Sequence, residues 1–393
     1  MKKLLVATAV AALVSTAVSA ENIKLGVILG YTGPIESLTP DMAAGAELAI
    51  KEVSNSGALL GGSKVTPVRG DTTCTDSAAA TAATERLVTS DKINAIVGGD
   101  CSGVTTAMLQ NVALANGIVM VSPSATSPAL STIKDNGLFF RTAPSDARQG
   151  QVLTAILKDK GVKSAALTYT NNDYGKGLAN SIKTNFEKAG GKITISAAHE
   201  DGKADYTAEV GALAAAGGDV LIVAGYLDQG GKGIIQAALD TGAFETFVLP
   251  DGMIGDSLPL AIGADLNGSY GTVPGTDSPG AAKFGEMAKA AGFKAGPFAS
   301  ESYDAAALIM LAMQAAKSSQ SKMFKDKILG VANAPGTKIY PGELAKGLKI
   351  IAGGGDVDYV GASAVELIGP GESAGNYREI LVSGGKNTTA RFR

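Results

Sequence analysis

Small hydroxyl residues crowd two polar loops within residues 94–130, and together they could hold an anion. The first loop reads Asp100-Cys101-Ser102-Gly103 and the second Ser122-Pro123-Ser124-Ala125-Thr126. Both offer hydroxyls and exposed backbone N–H groups, which suit a carboxylate. The same residue types also cap helices, so loop chemistry alone leaves that reading open. Repetition at two neighbouring places favours the anion site. Similar polar groups recur later, at Asn171-Asn172-Asp173-Tyr174, at Gly225-Tyr226 and at Asp251. The remaining reactive groups are Cys74, Cys101 and a lone histidine, His199.

These loops need elements to position them. Apolar runs at 95–97 and 118–121 flank a helix-like stretch at 104–115. Right-handed crossovers make two such strands parallel, so both loops leave the same carboxyl edge of a sheet. That edge is where open α/β sheets bind ligands. The alternation runs along the chain, with strands expected at 22–29, 64–69, 164–169, 193–197, 220–224, 246–249 and 269–273. Helices are expected between them, then mainly helix from 281 to 351, then short strands at 364–368 and 377–382. This is the pattern of two doubly wound α/β units with parallel sheets. If their carboxyl edges face each other, Tyr174, Tyr226 and Asp251 share a cleft with the first two loops.

Lys2-Lys3, an apolar run over 4–14 and Val18-Ser19-Ala20 form an export signal, with the cut expected before Glu21. The run is too short for a membrane anchor. Removing the two lysines takes the net charge from −3 to −5, and no basic run argues for nucleic acid. In an oxidising compartment the even pair Cys74 and Cys101 reads as one disulfide. A metal or catalytic thiol pair lacks further ligands. No Gly-x-Ser-x-Gly elbow or Gly-x-Gly-x-x-Gly turn is placed for hydrolase or nicotinamide chemistry, so neither an enzyme nor a cofactor is expected. His199 reads as an exposed loop residue and Asp304 as a structural cap.

The ordered set Thr32-Gly33-Pro34, Gly45-Ala46-Glu47-Leu48-Ala49, the cysteine pair, Ser122 to Thr126, Arg141-Thr142-Ala143, Tyr174-Gly175-Lys176-Gly177-Leu178-Ala179, Ala224-Gly225-Tyr226 and Ser302-Tyr303-Asp304-Ala305 spans the chain. It resembles the periplasmic solute-binding proteins of branched-chain amino-acid ABC transporters, the leucine/isoleucine/valine-binding family. The resemblance implies a type I periplasmic binding protein: two Rossmann-like lobes joined by three hinge crossings, near Ala143, Pro274 and Val360. One lobe would hold 21–143 and 274–360, the other 144–273 and 361–393.

A small amino-acid-like ligand would lie between lobes that close on it. Ser102 and Thr126, with backbone at Ser124, Ala125 and Thr126, would hold its carboxylate. Asp251 would hold its ammonium, and Tyr174 and Tyr226 would come from the second lobe. The implied partner is a transporter permease, and the implied state is a periplasmic monomer without metal. A simple carboxylic acid or amide, or a sensing role, is the alternative. Asp100 departs from the apolar residue of leucine binders. Facing the pocket, it would disfavour an aliphatic ligand; otherwise it turns away or caps the next helix.

Overall fold

The computed structural model describes residues 20–393, so the expected export signal lies outside the described residues apart from Ala20. The first sheet holds β1 (Asn22–Leu29), β2 (Lys64–Asp71), β3 (Ala95–Gly98), β4 (Met120–Ser122) and β5 (Phe139–Arg141). Their order is β2-β1-β3-β4-β5, all parallel. Ile23, Leu25, Val27, Ile28 and Leu29 of β1 are all buried, as a strand covered by helices on both faces must be. The helix Ala299–Ala316 returns late in the chain to pack on helix Thr39–Ser56. It is apolar nearly all round, which is why it lies buried rather than at a surface.

The second sheet is built from β6 (Ser164–Thr170), β7 (Lys192–His199), β8 (Val220–Ala224), β9 (Phe247–Leu249) and β10 (Tyr270–Pro274), all parallel. Two short pairs follow, β11 (Thr337–Ile339) with β12 (Val357–Tyr359) and β13 (Leu367–Ile368) with β14 (Glu372–Ser373). The chain then adds β15 (Tyr377–Ser383) and β16 (Lys386–Phe392) to the second sheet, antiparallel to β10 and to each other. Both lobes thus carry the parallel sheets expected from the βα alternation, and β15 and β16 add an antiparallel edge to the second. The hairpin turn is Gly384-Gly385, with φ of 59° and 70°. Positive φ at both central residues is what a two-residue hairpin turn demands.

The chain leaves the first sheet after β5 and returns after β10. The third passage falls later than the position near Val360. The β13–β14 hairpin stays beside β5, where Gly371 O accepts from Arg141 N–H at 3.0 Å. Asn333 Nδ2 donates to Leu367 O at 2.7 Å, and Asp304 holds the backbone N–H groups of Ala362 and Ser363. These bonds tie residues 361–373 to the first lobe, and the chain crosses at 374–376. Among the described residues no helix is long and apolar enough to cross a membrane.

Cys74 and Cys101 form a disulfide between the loops after β2 and β3. The bridge spans 27 residues, which gives roughly 3–4 kcal/mol in the chain-entropy account. Thiol titration of the unfolded, unreduced protein is expected to find no free thiol. The Cys74→Ala/Cys101→Ala double variant is expected to lose about that stability in urea denaturation.

Candidate functional site

The carboxyl edges of the two sheets line a narrow cavity between the lobes. The first lobe supplies Asp100, Cys101, Ser102 and Ser124, together with Ile35, Leu38 and Phe298. The second lobe supplies Tyr174, Tyr226, Asp251 and Gly252. The lining thus combines apolar side chains with hydroxyls and two carboxyl groups.

Asp251 follows β9 and opens a short 3-10 turn. Its Oδ1 accepts from Tyr174 Oη at 2.7 Å and from Gly252 N–H at 2.9 Å. Gln149 has its amide nitrogen toward Asp251 Oδ1 and its oxygen toward Asp251 N–H, each at 3.2 Å. The reverse orientation would set oxygen against carboxylate oxygen. Burial raises the Asp251 carboxyl to about 6, while the Tyr174 and Gly252 bonds pull it back.

Tyr174 starts helix Asp173–Lys188, capped by the Asn172 side chain, which accepts from Gly175 N–H at 3.0 Å. A Cβ on Gly175 would lie 2.1 Å from Thr170 O, so only glycine lets this helix seat its first turn on β6. Tyr226 stacks on Tyr174 with ring centroids 5.2 Å apart. Burial, reinforced by the nearby Asp251 charge, drives the Tyr174 hydroxyl well above its ordinary range, so it donates rather than ionises.

On the first lobe, Ser102 Oγ accepts from Ser127 N–H at 3.1 Å. Its own proton is left to donate. Ser122 Oγ gathers the N–H groups of Ser124 and Ala125, at 3.3 and 2.9 Å, and Ser124 Oγ donates to Asp100 O at 3.1 Å. Ala125 and Thr126 support this loop from behind, and neither side chain walls the cavity. Thr126 O accepts from Asp146 N–H, and its buried hydroxyl faces the Asp146 carboxyl.

Asp100 walls the cavity, but its oxygens turn toward the protein. Oδ2 accepts from Gly30 N–H at 2.5 Å and Oδ1 from Thr72 Oγ1 at 3.0 Å. Burial raises its pKa, and the Gly30 bond opposes the rise. The carboxylate pins the loop after β1 to the loop after β3 and is not an unpaired charge facing a ligand side chain. That removes the objection to an aliphatic ligand.

Ile35, Leu38 and Phe298 were missed in the sequence. Ile35 and Leu38 follow β1 at the productive sheet edge, and that position was a usable signal. Phe298, at φ 61° before helix Ala299–Ala316, had none, because only packing brings it to the cleft. His199 ends β7 and is buried, which corrects the exposed-loop reading. Its Nδ1 pairs with Thr168 Oγ1 at 2.8 Å, and burial lowers it to about 4. Among the described residues no group of three His, Cys, Asp or Glu is placed to hold a metal.

A second set of contacts closes the lobes at the cleft rim. Ser37 N–H donates to Asp228 Oδ2 at 2.9 Å, and Asp228 N–H donates to Pro34 O at 3.1 Å. Ser257 Oγ donates to Asp228 Oδ1 at 2.7 Å and lies 3.1 Å from Ser37 Oγ. Asp228 does not touch the cavity. Asp228→Ala is therefore expected to favour the open form and to weaken ligand binding by about 1–2 kcal/mol, chiefly through faster release. Stopped-flow dissociation and small-angle scattering check this; an unchanged off-rate would remove the latch.

Two α/β lobes with a small polar and apolar cavity between their facing edges define a cleft-type solute-binding protein. A model of the family described as periplasmic binding protein matches residues 22–339, and the chain belongs to that family, grouping with Leu/Ile/Val-binding proteins. The Leu/Ile/Val-binding protein homolog 1 of Brucella suis is 30% identical over 338 residues, covering 83% of this chain and 88% of its own. A leucine-, isoleucine-, valine-, threonine- and alanine-binding protein of Pseudomonas aeruginosa is 29% identical over 276 residues, 70% of this chain and 72% of its own. The leucine-binding protein LivK of Thermotoga maritima superposes with a TM-score of 0.80 at 22% identity, over 94% of this chain and 98% of its own. A solute-binding protein of R. palustris in complex with benzoate superposes at 0.74 and 20% identity, over 94% and 96%.

Proposed function

We propose that this protein, after export and cleavage before Glu21, captures an α-amino acid with a small apolar side chain. It would do so as a periplasmic monomer and deliver the ligand unchanged to an ABC transporter permease. Asp251 carries the reading. It is a buried carboxylate at the cavity wall with hydroxyl and amide donors but no cation in contact. An ammonium would supply the missing charge. Ser102, across the cleft and with its hydroxyl proton free, would take the carboxylate, and Ile35, Leu38 and Phe298 would pack the side chain.

The names of the Brucella and Pseudomonas relatives point to the same class. The stacked Tyr174–Tyr226 pair favours a second reading, an aromatic carboxylic acid like the benzoate of the R. palustris protein. A solute with no ammonium would leave Asp251 facing it uncompensated, so this reading ranks second. Calorimetric titration against leucine, isoleucine, valine, alanine, benzoate and 4-hydroxybenzoate tests the choice. Saturable binding of an aliphatic amino acid supports the first reading. Binding of the benzoates alone would replace it.

A further inference from the structure

Behind Asp251 lies a second carboxyl group that the ligand reading does not use. Asp146, at the start of helix Asp146–Asp159, is fully buried. The Gln149 amide nitrogen donates to Asp146 Oδ1 and to Asp251 Oδ1, at 3.2 Å each, so one side chain bridges the two acids. The donors are shared unequally. Asp251 also receives Tyr174 Oη and Gly252 N–H, whereas beside Gln149 Asp146 has only the Thr126 hydroxyl, which lies outside good hydrogen-bond geometry.

Of the charged groups around the pair, the Arg141 guanidinium opposes the rise at Asp146 but forms no ion pair with either acid among the described residues. Arg141, from β5, directs its terminal nitrogens to Ala125 O, Ser127 O, Ser131 Oγ and Glu372 Oε1. Arg148, on the same helix, is exposed. Tyr174, which donates to Asp251, and Tyr377, whose hydroxyl has no hydrogen-bond partner among the described residues, are kept neutral by burial. The helix start favours an anion at Asp146, but only weakly against full burial. Two buried carboxylates with one shared donor cannot both ionise cheaply, and the one with fewer donors keeps the proton. Burial and then the Asp251 charge hold the Asp146 carboxyl well above its ordinary range.

We propose that Asp146 is the proton-holding partner of the cleft carboxylate Asp251, and that an ammonium entering the cleft displaces that proton to solvent. The exchange balances: the acid O–H of Asp146 is lost as H⁺, its carboxylate remains, and the ligand brings one positive charge. No bond to the ligand forms. Asp146 does not touch the ligand; it is a positioning residue that sets how ligand retention depends on pH. The sign follows from the same exchange. The ammonium favours ionised carboxyls, so affinity is full at alkaline pH and falls with pH, by up to tenfold per unit wherever a proton is released on binding. The first titration on the acid side belongs to Asp251, at about 6.

This inference rests on the ammonium-bearing ligand proposed above. The test is calorimetry with leucine from pH 5 to 9, in pairs of buffers of different ionisation enthalpy. The wild type is expected to release protons in two steps, one near the Asp251 titration and one above it. Asp146→Asn should lose the upper step and keep the lower. Gln149→Met, which removes the shared donor, should move the profile to higher pH, and it serves if Asp146→Asn does not fold. Identical proton release in wild type and variants would overturn the proposal. Carboxyl carbon NMR of the ligand-free protein gives an independent reading, with Asp146 titrating above Asp251. Absence of leucine binding at every pH would count against the function. A reversed carboxyl order in that spectrum would count against the pair.

Discussion

Asp251→Ala is expected to weaken leucine binding at pH 8 by about 2–5 kcal/mol, or roughly 30-fold to several thousand-fold in Kd. The closed cavity removes water from the ligand ammonium, and Asp251 is the cavity-wall carboxylate positioned to meet it. Asp100 also walls the cavity, but its oxygens already serve Gly30 and Thr72. Part of the loss arises in the protein, since Tyr174 Oη and Gly252 N–H lose their acceptor. Asp251→Asn keeps an acceptor without the charge and should fall between the two. Calorimetry on variants with wild-type melting curves measures the difference. Full leucine affinity in Asp251→Ala would end the amino-acid reading in favour of a simple carboxylic acid.

Asp304→Ala is expected to cost about 3–5 kcal/mol of stability, more than a single hydrogen bond could. Asp304 sits inside helix Ala299–Ala316, with no exposure to solvent. It accepts from Tyr359 Oη and Ala362 N–H at 2.7 Å, and from Ser363 N–H and Oγ at 2.7 and 2.6 Å. Burial raises its carboxyl to about 6, and these donors oppose the rise. Truncation leaves the Tyr359 and Ala362 donors buried and the two Ser363 donors half-buried without an acceptor, and frees the segment that precedes β13. Urea denaturation at pH 7.5 measures the loss, and Asp304→Asn should lose less. Because Asp304 lies away from the cavity, the folded variant should bind leucine as the wild type does. A change below 1 kcal/mol would show that the 361–373 segment is held by other contacts.

Local chemistry settles part of this protein from sequence alone. Alternating apolar runs and amphipathic stretches are periodic over a few residues, so the βα order and the loops at the carboxyl edges are legible without partners. Tyr174, Tyr226, Ser102, Ser124 and Asp251 could be picked because each follows a strand. The Cys74–Cys101 pairing was legible because two cysteines, read in an oxidising compartment, leave one choice. The rest depends on which distant segment meets which. Asp100 could face ligand or protein, and Gly30, 70 residues earlier, decides it by offering an N–H. His199 read as loop because its burial depends on Thr168 and Tyr206. The third crossing moved to 374–376 because Asp304 and Arg141 hold the intervening chain to the first lobe. Asp146 and Asp251 lie 105 positions apart in the chain, and only folding sets them against one amide, that of Gln149. Hydrophobic period is a property of neighbours in sequence, whereas the state of a buried charge is a property of neighbours in space.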